Sequence, residues 1–386
     1  MCVLIAVNQL GFGAVIPVLP LYAKSFDVSQ TAIGATVAVY GVARVFLGLP
    51  TGKAADLLGR RTALAVGGGV TVLGNLWCAL ASTYLELLMA RLIAGAGAGI
   101  VLTAGLIVLA DIASPTTRGR TLAIYQGVFL FAVGIGPFPG GFLAERFALE
   151  APFLVYAIMG AAVTAVAWFG VPETRGLGGT LPGAGKTVRL REQVRALLGN
   201  IGFRLVCLIG LVGALARTGG LFSIVPILGR ERLSLSATEI GFAFALGSIV
   251  GLLVTYPAGF MADRFGRKAV IVPATVLIGI SMLAFSLAPD YAWFLAACLI
   301  WGGAITASGA APAAYAVDAA PEGMNAAAMG SYRMLSDVGY VVGPILLGWL
   351  GDAGGLDLPL WTAAGSLFLM AALFGLFASE TVRDRA

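Results

Sequence analysis

The chain has 386 residues, 59% of them hydrophobic and 11% charged, with 24 Lys plus Arg against 19 Asp plus Glu. A soluble domain carries about 25% charged residues, so the composition excludes one and requires a chain that crosses a bilayer repeatedly. There is no histidine, which leaves carboxylates as the groups for proton chemistry near neutral pH. Cys2, Cys78, Cys207 and Cys298 have neither metal nor CxxC spacing, so free thiols and no metal or cofactor are expected.

Apolar runs of roughly 20 residues suffice for one helical crossing. They fall near 2–23, 32–52, 62–82, 85–110, 121–143 and 152–171, and again near 204–228, 237–259, 269–288, 292–316, 326–348 and 358–378. No basic residue precedes Lys24, so a charged leader is not expected and the first run is read as span 1 of twelve. Sixteen Lys and Arg lie in the connections on the side of the termini, against Lys24, Arg146, Arg230 and Arg232 on the other. The excess of positive charge marks the cytoplasmic face, which predicts cytoplasmic termini and a multi-pass protein of the cell membrane. The expected domains are a six-helix bundle over 1–176, a linker over 177–200 and a second six-helix bundle over 201–386. Within the linker, Leu190, Val194, Leu197 and Leu198 keep helical spacing while Arg189, Arg191 and Arg195 take other faces. That pattern suits an amphipathic helix at the inner surface; a helix that merely joins the halves is the alternative. Gly183 to Thr187 approximates a phosphate loop, but Thr180 stands where its first glycine belongs and no strand precedes it, so nucleotide hydrolysis is set aside.

The halves repeat. Gly52-Lys-Ala-Ala-Asp56-Leu-Leu-Gly59-Arg60-Arg61 returns 207 residues later as Gly259-Phe-Met-Ala-Asp263-Arg-Phe-Gly266-Arg267-Lys268. The same offset pairs Asp111 with Asp318, Tyr125 with Tyr332, Gly136-Pro137 with Gly343-Pro344 and Glu173-Thr174 with Glu380-Thr381. Paired Asp, Pro, Tyr and Glu-Thr indicate a duplicated membrane domain. Each charged motif is expected to form a tight turn between two spans, with glycine supplying the backbone freedom.

These motifs, with Pro17-Val-Leu-Pro20 on span 1, Arg91-Leu-Ile-Ala-Gly95-Ala-Gly97 on span 4 and Gly136-Pro137-Phe-Pro-Gly140-Gly141 on span 5, resemble those of the major facilitator superfamily. The ending of span 5 is similar to the signature of its twelve-helix drug/proton antiporters. The resemblance implies an all-helical fold of two pseudo-symmetric six-helix bundles, with a cavity opening to one side at a time. It also implies gating by the charged motifs, with Asp56 against the start of span 11 and Asp263 against that of span 5, as an anion at a helix N-terminus. Span 1 departs from the pattern: it carries Asn8 and Gln9 where many such antiporters have an acid.

Charges inside spans are costly and by default functional. Arg91 has Cys298 as its shifted partner and Arg44 has Gly251, so neither charge is needed to fold both halves. Arg333 and Asp337 are four apart on one face of span 11, and Arg217 lies at similar depth on span 7, where it could pair with Asp337. Asp337 is the one acid placed near mid-membrane and is the candidate proton carrier. With Arg217, Arg333, Arg91, Asn8, Gln126 and Tyr332 it makes up the candidate substrate and proton site, beside a cavity lined by residues such as Phe12, Phe222 and Trp301. The expected function is proton-coupled efflux of small apolar or amphipathic compounds. The expected partners are a small molecule, protons and lipid, without nucleic acid, acting as a monomer. An exchanger of anionic metabolites or lipids using the arginines, and a transport-inactive receptor or scaffold, are the alternatives. No nucleophile or carboxylate cluster suggests an enzyme.

Overall fold

The computed structural model describes residues 1–112, 118–174, 196–321 and 324–381. Most of the linker, including Lys186, Arg189, Arg191, Arg195, Leu190 and Val194, lies outside the described residues, as do Arg175, Arg383 and Arg385. Every regular element described is helical.

Among the described residues, eleven helices are long and apolar enough to cross a membrane. They are Gln30–Leu58, Arg60–Ala79, Tyr84–Ile112, Arg118–Ile135 continued by Pro137–Arg146, and Ala151–Gly170, which are spans 2 to 6. Spans 7 to 12 are Ile201–Arg232, Ala237–Phe265, Lys268–Ser286, Tyr291–Asp318, Asn325–Gly354 and Asp357–Phe377. Span 1 completes the twelve in two pieces, Cys2–Val15 and Leu19–Lys24. Pro17 and Pro20 interrupt its amide donors at the break. The Tyr22 hydroxyl pins the second piece by donating to the Cys78 carbonyl at 3.1 Å.

Short polar residues set the helix starts. Ser29 accepts from the Ala32 amide, Asn200 from Phe203 and Asp290 from Trp293, each satisfying a donor that the first turn leaves open. Thr83 and Glu86 bond reciprocally, as do Ser236 and Glu239, so spans 4 and 8 open on capping boxes.

Span 2 runs six residues beyond the expected end at 52, to Leu58. A helix of 29 residues is about 43 Å long, well beyond a hydrocarbon core of about 30 Å, so its last turns extend outside the apolar layer that hydropathy detects.

The chain divides into two compact units, Met1–Pro182 with Ser234–Ala245, and Gly183–Leu233 with Leu246–Ala386. Ser234–Ala245 opens span 8, yet it packs within the first unit: Val18, Ala144 and Ala237 form a buried cluster, and the Phe138 and Phe242 rings meet edge-on at 5.8 Å. In the first unit the core gathers Leu4, Leu64, Val101, Val108 and Val163. Glycine admits the helices to one another there: a side chain at Gly74 would collide with Ala94, one at Gly97 with Thr71 and one at Gly95 with the Tyr40 backbone. Association of membrane helices relies on such close packing. The second unit packs Phe203, Val206, Ile271, Tyr315 and Phe374, and Gly302 lies directly against Gly247.

Candidate functional site

The charged motifs form one lock in each unit. Only the eighth residue of each motif makes the turn: Gly59 has φ of 95° and Gly266 of 97°, a region that L side chains rarely enter. Gly52 and Gly259 lie instead inside helices, with open space where a Cβ would stand. The tight turn expected over the whole motif is therefore a single residue, because the helix of span 2 or span 8 continues through the preceding charged positions.

Around each turn the contacts repeat at the offset of the sequence. Arg60 pairs with Asp56 at 2.9 Å and with Asp111 at 3.0 Å; Arg267 pairs with Asp263 at 2.6 Å and with Asp318 at 3.3 Å. The Glu173 carboxylate accepts from the Arg60 and Arg61 amides at 2.9 and 3.3 Å, and Glu380 from Arg267 and Lys268 at 2.9 and 3.0 Å. A carboxylate thus fills the open donors at the start of spans 3 and 9. The copies differ in depth. Arg60 and Asp111 are 12% and 10% exposed against 20% and 36% for Arg267 and Asp318, and Thr174 adds a hydroxyl donor to Asp111 at 2.9 Å. Arg61 lies over the Trp168 ring at 4.7 Å. The lock roles of Asp111, Glu173, Asp318 and Glu380 went unread in the sequence, although the repeat had paired all four.

On span 5 the helix breaks at Gly136-Pro137. Gly136 and Gly140 face the backbone of span 1 at Gly13 and Ala14, and Gly141 faces Ala237 at the start of span 8. In the second unit Pro344 sits inside an unbroken helix, with Gly339 and Gly343 against Leu211 and Leu215. Gly127 contacts nothing at its Cβ position.

The in-span candidates separate into two places. In the first unit Arg91 is 2% exposed, reaches the Thr36 carbonyl at 3.4 Å and lies 4.3 Å over the Tyr40 ring. Tyr40 stacks on Phe12 at 5.3 Å. One terminal nitrogen of Arg91 and the Oδ1 atoms of Asn8 and Asn75 are buried without a hydrogen-bond partner. Asn8 donates to Gln9 at 3.0 Å, and Gln126 is exposed. Arg44 packs beside Gly99.

In the second unit span 7 widens into a nine-residue π-helix, Ala216–Ile224, a form that concentrates at functional sites. Thr218 within it donates to the Ala214 and Tyr340 carbonyls at 2.9 and 3.1 Å, tying span 7 to span 11. Arg217 and Tyr332 line one cavity together with Ser336; Asp337 follows Ser336 on span 11, and Arg333 is exposed. Trp301 is buried and Phe222 is half-buried. At the other end of this unit, Arg232 donates to the Asp357 carboxylate at 2.8 Å and to the Ser286 carbonyl at 2.6 Å, joining spans 7, 9 and 12.

Of the described acids, Asp337 alone lies more than about two helical turns from both ends of its helix. Glu86 caps the start of span 4, while Asp111 and Asp318 are held in the locks.

Comparison with known proteins agrees with this architecture. The chain is 22% identical over 354 residues to an uncharacterised MFS-type transporter of Methanocaldococcus jannaschii, covering 90% of this chain and 89% of that one. It is 24% identical over 274 residues to the multidrug resistance protein MdtL of Escherichia coli, covering 71% and 68%. The crystal structure of the nucleoside transporter NupG superposes with a TM-score of 0.80 at 16% identity, covering 98% of both chains. A family model described as Major Facilitator Superfamily matches residues 1–337 and 206–386, and the chain belongs to that superfamily of multi-pass membrane transporters.

Proposed function

We propose that the protein is a secondary transporter of the cell membrane that exports small apolar or amphipathic compounds in exchange for protons, by alternating access, with its charged turns in the cytoplasm. The observation that carries proton coupling is the position of Asp337, the one described acid deep within a span. Ionisable residues within spans mark ion and proton pathways.

The multidrug relative supports the substrate class. The paired locks support gating: each holds the end of one helix to two others through contacts that can break as a set, which is the kind of two-state element a rocking transporter needs. Arg91, with its aromatic neighbour and no carboxylate partner among the described residues, holds spans 2 and 4 together and is charged in every state.

The test is proton release by the purified protein. An amphipathic ligand chosen by thermal shift from lipophilic cations and organic anions should displace protons into weakly buffered detergent solution. The Asp337→Asn protein should bind that ligand without release. Equal proton release from both proteins would remove Asp337 from the coupling.

A further inference from the structure

The first unit holds a buried polar layer between spans 3 and 4. On span 3, Thr71, Asn75 and Cys78 recur at the spacing of one helix face, and all three are buried. Gly97 of span 4 lies against Thr71, and Gly74, next to Asn75, abuts the Ala94 backbone. Cys78 is within electrostatic range of the Arg91 guanidinium. This face of span 3 therefore meets the stretch of span 4 from Arg91 to Gly97, with Asn75 in its middle.

Two polar atoms are open there. Asn75 donates to the Thr71 carbonyl at 2.8 Å, but its Oδ1 has no hydrogen-bond partner. Arg91 directs Nε to the Thr36 carbonyl at 3.4 Å and lies over the Tyr40 ring, while its Nη1 has no partner. One atom is an acceptor and the other a donor, and they do not bond to each other. Each forfeits in burial the hydrogen bonds it would have in water. Arg91 is also charged at every physiological pH, and among the described residues no ion pair involves it.

The internal repeat shows what the fold itself needs at this place. At the positions 207 residues later, Met282 stands for Asn75, Cys298 for Arg91, Ile278 for Thr71 and Ala243 for Thr36, and all four are buried. An apolar set thus fills the layer in one unit, a free thiol serving as a small hydrophobe. The charge and the amide in the other unit are an addition that packing does not call for.

We propose that this layer binds a resident water molecule between Arg91 and Asn75. The water accepts from Nη1 of Arg91 and donates to Oδ1 of Asn75, so one molecule satisfies both open atoms, as buried waters do. The cation is then solvated by the Thr36 carbonyl, the Tyr40 ring and a water oriented by Asn75, in place of a carboxylate. An anion such as chloride would suit the charge but would lie against the Asn75 carbonyl oxygen and leave it without a donor. Arg91 is seven residues from the start of span 4, about 10 Å along the helix, which places the water inside the span. The site is independent of the transport reading, which turns on Asp337 in the second unit.

Water held beside a buried side chain yields hydroxyl radicals in place when irradiated, and Cys78 and Cys298, both buried and free, serve as reporter and control. A synchrotron X-ray pulse on the full chain in lipid nanodiscs, read by mass spectrometry, should oxidise Cys78 several-fold faster than Cys298. Asn75→Met should bring the two rates together. Equal, slow oxidation of both thiols in the wild-type protein would overturn the site. Unfolding midpoints give a second reading. Asn75→Met and Arg91→Met should each lower the midpoint by stranding the other partner, whereas the double variant should recover most of the loss, because removing both ends of a bridge leaves nothing unbonded. Losses that simply add would show that the two residues share no site. Exchange of chloride for gluconate at constant ionic strength should leave the wild-type midpoint unchanged; a chloride-dependent midpoint that Arg91→Met abolishes would put an anion in place of the water and overturn the proposal.

Discussion

At the scale of single residues, glycines that look alike in the motif have different work. Gly59 holds φ 95° and ψ 152°, a conformation that costs other residues about 1–3 kcal/mol, and a Cβ there would strike the Glu173 carboxylate. Gly59→Ala should therefore destabilise the protein by at least about 1–3 kcal/mol, while Gly52→Ala, in a helix with open space around it, should be neutral or stabilising by up to about 1 kcal/mol. Unfolding midpoints of the two variants in detergent test this; equal losses would show that the turn does not depend on the positive φ. Arg267 shows the sign of the lock's pH response. Burial lowers its pKa, but hydrogen bonds from Arg267 to Asp263 and Asp318 outweigh that and leave it raised. A raised cation pKa adds stability that is complete below the unfolded value and is lost as pH rises through the folded one. For an arginine that window lies far into alkali, so this contribution should not change between about pH 7 and about pH 10.

At the scale of elements, the two locks have the same connectivity and different burial. Asp111→Asn removes a partner from an arginine only 12% exposed, where breaking a buried pair costs about 3–5 kcal/mol; with Asp56 still in place, a loss of about 2 kcal/mol or more is expected. Asp318 is 36% exposed, and Asp318→Asn should cost less than about 1 kcal/mol. Denaturation midpoints that fall equally in both variants would contradict the difference in depth. The repeat behind this layer was legible in the sequence, because Asp111, Glu173 and the charged turns recur at one offset, but the contacts that these residues make with Arg60 and Arg267 were not. Helix ends were less so: hydropathy marks where span 2 leaves the apolar layer, whereas hydrogen bonding carries the helix on to Leu58. The π-helix around Arg217 left no signal, since its wider turn depends on how Thr218 and its neighbours meet span 11. The cavity was hidden for a related reason. Its lining is drawn from five spans and mixes Ile278, Ile305 and Leu367 with Arg217, Tyr332 and Ser336, so no single stretch of sequence marks it.

At the scale of the whole molecule, duplication separates what the fold requires from what the function adds. Locks, turns and span-to-span glycine contacts occur in both units and belong to the architecture. Arg91, Arg217 and Asp337 have Cys298, Leu10 and Leu130 at the paired positions, and the helix broken at Gly136-Pro137 has an unbroken counterpart; we propose that the specific work rests on these departures. The central claim is that a proton on Asp337 is exchanged for substrate. Its most direct test is uptake of the ligand identified by thermal shift into proteoliposomes with an acidic lumen, in which wild-type protein should accumulate the ligand only while the pH gradient lasts. The Asp337→Asn protein should bind the ligand equally well and accumulate none, whereas full gradient-driven accumulation by Asp337→Asn would contradict the account.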